Sequence, residues 1–235
     1  MKVISVYNFK GGTGKTSICF LIGQYLSQNG KKVLLIDADP QASLTKSFPE
    51  MKSKTIFDFL SETAEAENCI IEVQQNLSLM PGSFRVLKVQ SNILNSFMND
   101  SLRKLKYDFC IIDNSPTMNN LIISCIQASG LVLVPALISK YDLNESGFIV
   151  SNIRQISPKT KVKLLLNRTQ KVNDFTKMEM EYKEALSESG QVIDFSIPNT
   201  NLIRKYIDFG QNPFIGKSKA KEAFKEIIKR LVSEL

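Results

Sequence analysis

Lys10-Gly11-Gly12-Thr13-Gly14-Lys15-Thr16 stands directly between an apolar run, Val3–Tyr7, and a helical pattern, Ser17–Gln28. Glycines let a backbone wrap an anion without Cβ clashes, so that successive N–H groups point inward, and a helix start adds partial positive charge. In a loop of this kind a lysine such as Lys15 reaches the β- and γ-phosphates of a nucleotide, and a hydroxyl such as that of Thr16 is placed for Mg²⁺. Asn8-Phe9 occupies the place where the G-x-x-x-x-G-K-[ST] pattern has its first glycine; the stretch fits the K-G-G-x-G-K-[ST] form instead. The competing reading is a glycine turn with chance lysines, and the strand–loop–helix setting disfavours it.

Working outward, further short apolar runs read as buried strands: Val33–Asp37, Phe109–Asp113, Leu131–Pro135 and Val162–Asn167, with Leu77–Met80 weaker. They run without alternation, as strands covered on both faces do. Helical patterns at Leu121–Ala128, Asn144–Ile156, Phe175–Ser187 and Lys219–Leu235 lie between or after them, and Gly30 closes the first helix. Lys46–Glu67 and Asn199–Gly216 are polar and irregular, with loops or short helices expected. Strand–helix alternation predicts an α/β fold with a doubly wound, mostly parallel sheet. The 235 residues are read as a single domain, 1–235, large enough to bury its own core.

Composition narrows the chemistry. The chain has no histidine, which excludes Ser-His-Asp and Cys-His catalysis and most zinc enzymes. Cys19, Cys69, Cys110 and Cys125 show no metal or redox spacing and read as buried thiols of a reducing compartment. No run approaches the ~20 apolar residues of a membrane span and no signal-peptide pattern opens the chain, so a cytoplasmic location is expected. The net charge is +7, and residues 199–235 hold eight Lys/Arg against four Asp/Glu. That basicity is compatible with a polyanionic partner without requiring one.

Three segments together carry a family resemblance: Tyr7–Ser17; Asp37-Ala38-Asp39-Pro40-Gln41-Ala42-Ser43; and Tyr107-Asp108-Phe109-Cys110-Ile111-Ile112-Asp113-Asn114-Ser115-Pro116. In these the chain resembles the ParA/MinD family of deviant Walker A ATPases, above all its small single-domain partition members. The resemblance is dense to about Pro135 and thinner beyond. It implies the P-loop NTPase fold, ATP and Mg²⁺ as cofactors, and a slow intrinsic ATPase that pairs as an ATP-sandwich homodimer. It implies a phosphate cradle of Gly11, Gly12, Thr13, Gly14, Lys15, Thr16 and Ser17, with Lys10 reaching the partner's ATP. Asp39 would orient the attacking water, and Thr16, Asp37 and Asp113 would serve the metal. Asp37 has a second reading, a strand-end carboxylate capping the next turn. Asn167, with Arg168 and the backbone near Pro198, would meet the adenine, an Asn offering both donor and acceptor.

The same resemblance implies nonspecific DNA as a partner, with Arg204, Lys205, Lys217, Lys219 and Lys221 as candidate contacts, joined by Arg168 and Lys171 from an earlier loop. It also implies a ParB-like centromere-binding or cargo adaptor protein, and association with the nucleoid in the ATP state. Asn199 stands where the family often has an arginine, and Asn114 and Ser115 where small residues or proline are common. The division-site branch binds membrane through an amphipathic C-terminal helix, and Lys219–Leu235 is amphipathic and basic. Its apolar stripe is nevertheless expected to be core, without stable membrane insertion. The first strand starts at Lys2, so no N-terminal helix-turn-helix domain is expected.

Overall fold

The structure, a computed structural model, describes residues 1–50, 52–169, 177–189, 191–199, 206–207, 211–215 and 218–235. In chain order it runs β1 (Lys2–Val6), α1 (Lys15–Gln28), β2 (Val33–Ala38), α2 (Ser43–Lys46), α3 (Ile56–Leu60), β3 (Ile71–Gln74), β4 (Leu77–Met80), α4 (Phe97–Leu102), β5 (Phe109–Asn114), α5 (Asn120–Ala128), β6 (Leu131–Ala136), α6 (Lys140–Ile156), β7 (Lys161–Thr169), α7 (Lys177–Ser189), β8 (Gln191–Pro198) and α8 (Lys219–Glu234), with 3₁₀ turns at Ala66–Cys69 and Phe84–Lys88. The eight strands form one sheet in the order β3-β4-β2-β5-β1-β6-β7-β8. Every pairing is parallel except β3 with β4. This is the doubly wound α/β fold the alternation predicts.

Each strand read from a continuous apolar run is present, with ends displaced by a residue or two. The central ones are buried along their whole length: Val33–Ala38 and Leu131–Ala136 expose nothing substantial on either face. Two strands escape that reading, β3 and β8, and both lie at sheet edges. An edge strand covers only part of its surface, so β8 alternates buried Ile193, Phe195 and Ile197 with exposed or half-buried neighbours. Its sequence carries no unbroken apolar run to detect.

Helices cover both faces. On one, α1 lies between the sheet and α8, so Ile18, Phe20, Leu21, Ile22 and Leu26 are buried around most of its circumference. It ends where Asn29 and then Gly30, at φ 78°, take over, Gly30 donating its N–H to the Ser27 carbonyl at 3.0 Å. On the other face α3, α4 and part of α5 enclose Leu34, Ile36, Cys110 and Ile112. All four cysteines are buried and reduced.

The C-terminal helix places its apolar stripe inward. Phe224, Ile228 and Leu231 are buried in the same cluster as α1 and β1, and Phe214 stacks on Phe224 with ring centres 6.3 Å apart. Lys163 of β7 ties the end of α8 down, its Nζ donating to the Glu234 carbonyl at 2.6 Å and carboxylate at 2.8 Å. Among the described residues no helix is long and apolar enough to cross a membrane.

Ile228 is fully enclosed, so Ile228→Ala should cost about 2–5 kcal/mol of stability. A urea unfolding midpoint measures this; an unchanged midpoint would mean that the stripe is not core.

Candidate functional site

Because β1, β2, β4, β5, β6, β7 and β8 are parallel, their carboxyl ends share one edge of the sheet, where ligands of such folds bind. The glycine loop leaves β1 at that edge and runs into α1. Gly12 (φ 76°) and Gly14 (φ 95°) adopt left-handed backbone that a side chain would strain. A Cβ on Gly14 would also collide with the Asn167 amide, so that position needs glycine twice over. Gly11 and Gly12 are exposed and face open space, whereas Thr13 is buried.

Two asparagines fasten the loop. Asn8, at the place of the missing first glycine, accepts the Lys10 N–H on Oδ1 at 2.8 Å and donates from Nδ2 to the Pro135 carbonyl at 2.7 Å. It turns the chain and anchors it to β6, a role the motif alone does not announce. Asn167, at 6 % exposure, donates from Nδ2 to the Thr13 carbonyl at 2.7 Å. One of its two amide N–H donors therefore serves the loop itself, which leaves the second N–H and the oxygen. Arg168 is exposed at φ 57°, and Pro198, half-buried, ends β8 opposite Thr169.

Lys15 is buried, and its ammonium donates to the carbonyls of Asn8 at 3.2 Å and Lys10 at 3.0 Å. Burial pulls its pKa down; Asp113 and Asp39 oppose that pull. Lys10, half-buried, opens the loop, and Ser17 is half-buried in the first turn of α1. The Thr16 hydroxyl donates to Asp113 Oδ2 at 2.7 Å.

Asp37 and Asp113 end neighbouring strands in direct register, and neither exposes any surface. Asp37 Oδ1 accepts the Asp39 N–H at 3.3 Å, and Oδ2 accepts both the N–H and the hydroxyl of Thr45 at 2.8 and 2.7 Å. These contacts cap the turn between β2 and α2, which is the second reading of this residue. Thr45 is a site residue that sequence reasoning missed, its only signal being a hydroxyl eight positions after a strand-end carboxylate. Asp39 is half-buried, its Oδ1 accepting the Gln41 N–H at 2.8 Å. Asn114 is buried and braces β5 to β1 by donating to the Val6 carbonyl at 3.1 Å.

Burial, and then the nearby charge of Asp37, push the Asp113 carboxyl well above its ordinary range. Burial likewise pushes Asp37 up to about 6, against the hydrogen bonds from Thr45. Asp113 Oδ1 is buried without a hydrogen-bond partner. An orphaned carboxylate oxygen beside a threonine hydroxyl is a hard oxygen donor set, and it fits Mg²⁺ held jointly with phosphate and water. Among the described residues no three His, Cys, Asp or Glu side chains converge into an all-protein metal cage, and a magnesium site completed by phosphate needs none.

Of the C-terminal basic candidates, Lys219 and Lys221 fall among the described residues. Lys219 is exposed at the start of α8. Lys221 is tied down, donating to the Ile215 carbonyl at 2.6 Å with its ammonium 4.9 Å from the centre of the Tyr206 ring. Lys171, Arg204, Lys205 and Lys217 lie outside the described residues.

Residues 1–166 match the protein family described as AAA domain. The sporulation initiation inhibitor protein Soj of Bacillus subtilis is 27 % identical over 176 residues, 70 % of each chain. A maintenance of carboxysome distribution protein A from Gloeothece citriformis is 30 % identical over 155 residues, 61 % of this chain and 60 % of that one. A putative plasmid partition protein from Borrelia burgdorferi, solved with AMPPNP, superimposes with a TM-score of 0.84 at 22 % identity, covering 100 % of this chain and 99 % of the other.

For Asp37 and Asp113 the folded-state pKa lies above the unfolded value. The folded protein therefore holds their protons more tightly, and the stability this contributes at low pH is lost as pH rises, for Asp37 through about 6 and for Asp113 in the same direction. Without divalent metal, Asp113→Asn should gain stability over the parent as pH rises from about 4 to 7, by ~1–3 kcal/mol. Urea midpoints of both proteins across that range measure it; a constant difference would remove the buried-charge argument.

Proposed function

Given that the chain belongs to the AAA-domain family of ParA/MinD-type P-loop ATPases, we propose that it is a Mg²⁺-dependent ATPase that positions DNA or another cargo. In this reading the ATP form pairs as a homodimer across the nucleotide and binds DNA without sequence preference. A ParB-like or cargo-adaptor protein then triggers hydrolysis and release. The observation that carries it is the convergence of Lys15, Thr16, Asp39 and Asp113 at one sheet edge, with Lys10 at the loop entrance.

Each residue's chemistry follows from charge and position. The loop N–H groups and Lys15 hold the phosphates and neutralise the charge that spreads over the γ-phosphoryl oxygens during transfer. The Thr16 hydroxyl and the Asp113 carboxylate would hold magnesium, which would supply neutralisation of phosphate charge when bound. Asp39, half-exposed next to the buried pair, accepts a hydrogen bond from the attacking water and orients it. Lys10 supplies a second cation from the opposing protomer, which makes turnover depend on pairing. Asn167, with one amide N–H on the Thr13 carbonyl, keeps its oxygen and second N–H for the donor and acceptor of the adenine edge.

The relatives named for plasmid partition and for carboxysome distribution support a positioning role while differing in cargo. The apolar face of α8 is occupied by the core, so the membrane-binding helix of the division branch has no counterpart in that face. The DNA surface is assigned to the exposed basic residues of α8, led by Lys219, with Arg168, Arg204, Lys205 and Lys217; Lys221 contributes least because its ammonium is engaged.

Lys15→Ala should abolish binding of a fluorescent ATP analogue. Asp39→Ala should bind the analogue within about twofold of the parent and sediment as a dimer with ATP. Its turnover should fall ~100-fold or more, the scale of a lost water-orienting group. Parental turnover in Asp39→Ala would remove Asp39 from the mechanism.

A further inference from the structure

Thr45 sits at the junction of three segments. Its hydroxyl donates to Asp37 Oδ2 at 2.7 Å and accepts the Gly82 N–H at 2.7 Å, while its own N–H donates to the same carboxylate oxygen at 2.8 Å. The other Asp37 oxygen accepts the Asp39 N–H. A continuous chain of hydrogen bonds thus leads from the loop after β4, through Thr45 and Asp37, to the backbone of Asp39.

Packing reinforces this chain. A Cβ on Gly82 would stand 2.8 Å from Asp37 Cγ and 2.9 Å from Oδ2, so only glycine fits against the carboxylate without displacing it. The turn between the two aspartates and α2 holds Ala42 at φ 51°, a left-handed conformation that an alanine keeps only when its surroundings impose it. Behind Thr45 lies a cavity of about 470 Å³, lined also by Phe48, Ile71, Leu79 and Pro81. Lys46 and Glu50 also line it, but the bonds to Asp37 and Gly82 are made by the Thr45 hydroxyl. Any shift of Thr45 into this space would release Asp37 Oδ2 and the Gly82 N–H together.

We propose that Thr45 is a positioning residue for hydrolysis: its hydroxyl locks Asp37 against Gly82, and the locked Asp37 fixes the backbone from which the Asp39 carboxylate reaches the water. This rests on the ATPase reading above. The Thr45 hydroxyl is engaged by Asp37 and the Gly82 N–H, so its influence on Asp39 runs through Asp37. The geometry it sets belongs to the transition state more than to ATP binding, which is carried by the glycine loop. Misplacement of a water-orienting group by about an ångström is enough to cost on the order of 100-fold in rate.

The test compares Thr45→Val, Thr45→Ser and Gly82→Ala with the parent protein. Parent turnover is measured first: none at all with ATP and magnesium, with and without DNA, would overturn the ATPase reading and this assignment with it. With an active parent, Thr45→Val should lose ~10–100-fold in kcat while KM and the affinity for a fluorescent ATP analogue stay within about threefold. Thr45→Ser should restore kcat to within about threefold. In the nucleotide-free proteins, hydrogen exchange at the Gly82 amide should be faster in Thr45→Val by ~10-fold and unchanged in Thr45→Ser. Gly82→Ala, which pushes on Asp37 while leaving Thr45 in place, should show the same loss of kcat with binding retained, and it stands in if Thr45→Val does not fold. Faster Gly82 exchange with parental kcat, or a raised KM at unchanged kcat, would overturn the assignment.

Discussion

Two carboxylates, Asp37 and Asp113, lie side by side on neighbouring strands with no surface in contact with solvent, and everything at this edge of the sheet answers to the cost of putting them there. Burying a charge unpaired is expensive, and like charges on adjacent groups raise that cost. The fold meets it with donors from separate parts of the chain: the Thr16 hydroxyl for Asp113, the Thr45 hydroxyl and backbone for Asp37, and the Lys15 ammonium close enough to offset Asp113. One Asp113 oxygen still lacks a partner. A divalent cation beside phosphate would satisfy that oxygen, so the electrostatic strain of the protein alone points to the ligands its motif suggests.

The parallel sheet makes this assembly possible. β1 and β2 both flank β5, so the glycine loop, the Asp39 turn and Asp113 emerge as neighbours. β6 and β7 follow β1 outward and bring the Pro135 carbonyl and Asn167 against the other side of the loop. Two side-chain amides thus tie the loop to β6 and β7, and hold its backbone in the anion-binding shape that glycine permits but does not enforce. Holding a site rigid in this way is what lets a single misplaced hydroxyl matter to chemistry several bonds away.

The core strands were legible because full burial on both faces demands uninterrupted apolar runs, as in Val33–Ala38 and Leu131–Ala136. The edge strands β3 and β8 were not, since partial cover leaves a mixed sequence. The phosphate loop was legible because its glycines and lysine follow from backbone sterics and charge. Asn8, Thr45 and Gly82 were not, because their roles come from contacts over sheet crossovers. The Thr45–Gly82 bond spans 37 positions and Asn8–Pro135 spans 127, distances at which a local pattern carries no signal. Asp37 shows the intermediate case: its importance was readable, while its capping contacts with Thr45 and Asp39 were not.

α8 carries five Lys/Arg against three Asp/Glu, half of the charge excess of the last 37 residues, and its apolar face is core. If its charged residues and the nucleotide site form one switch, DNA affinity must follow the nucleotide. The direct measurement is fluorescence anisotropy of a labelled random-sequence duplex titrated with the protein in ATP, in ADP and without nucleotide, each over a salt series. The account predicts binding with ATP alone, weakening steeply as salt rises. Equal binding in all three states, or no binding while ATP is demonstrably bound, would contradict it.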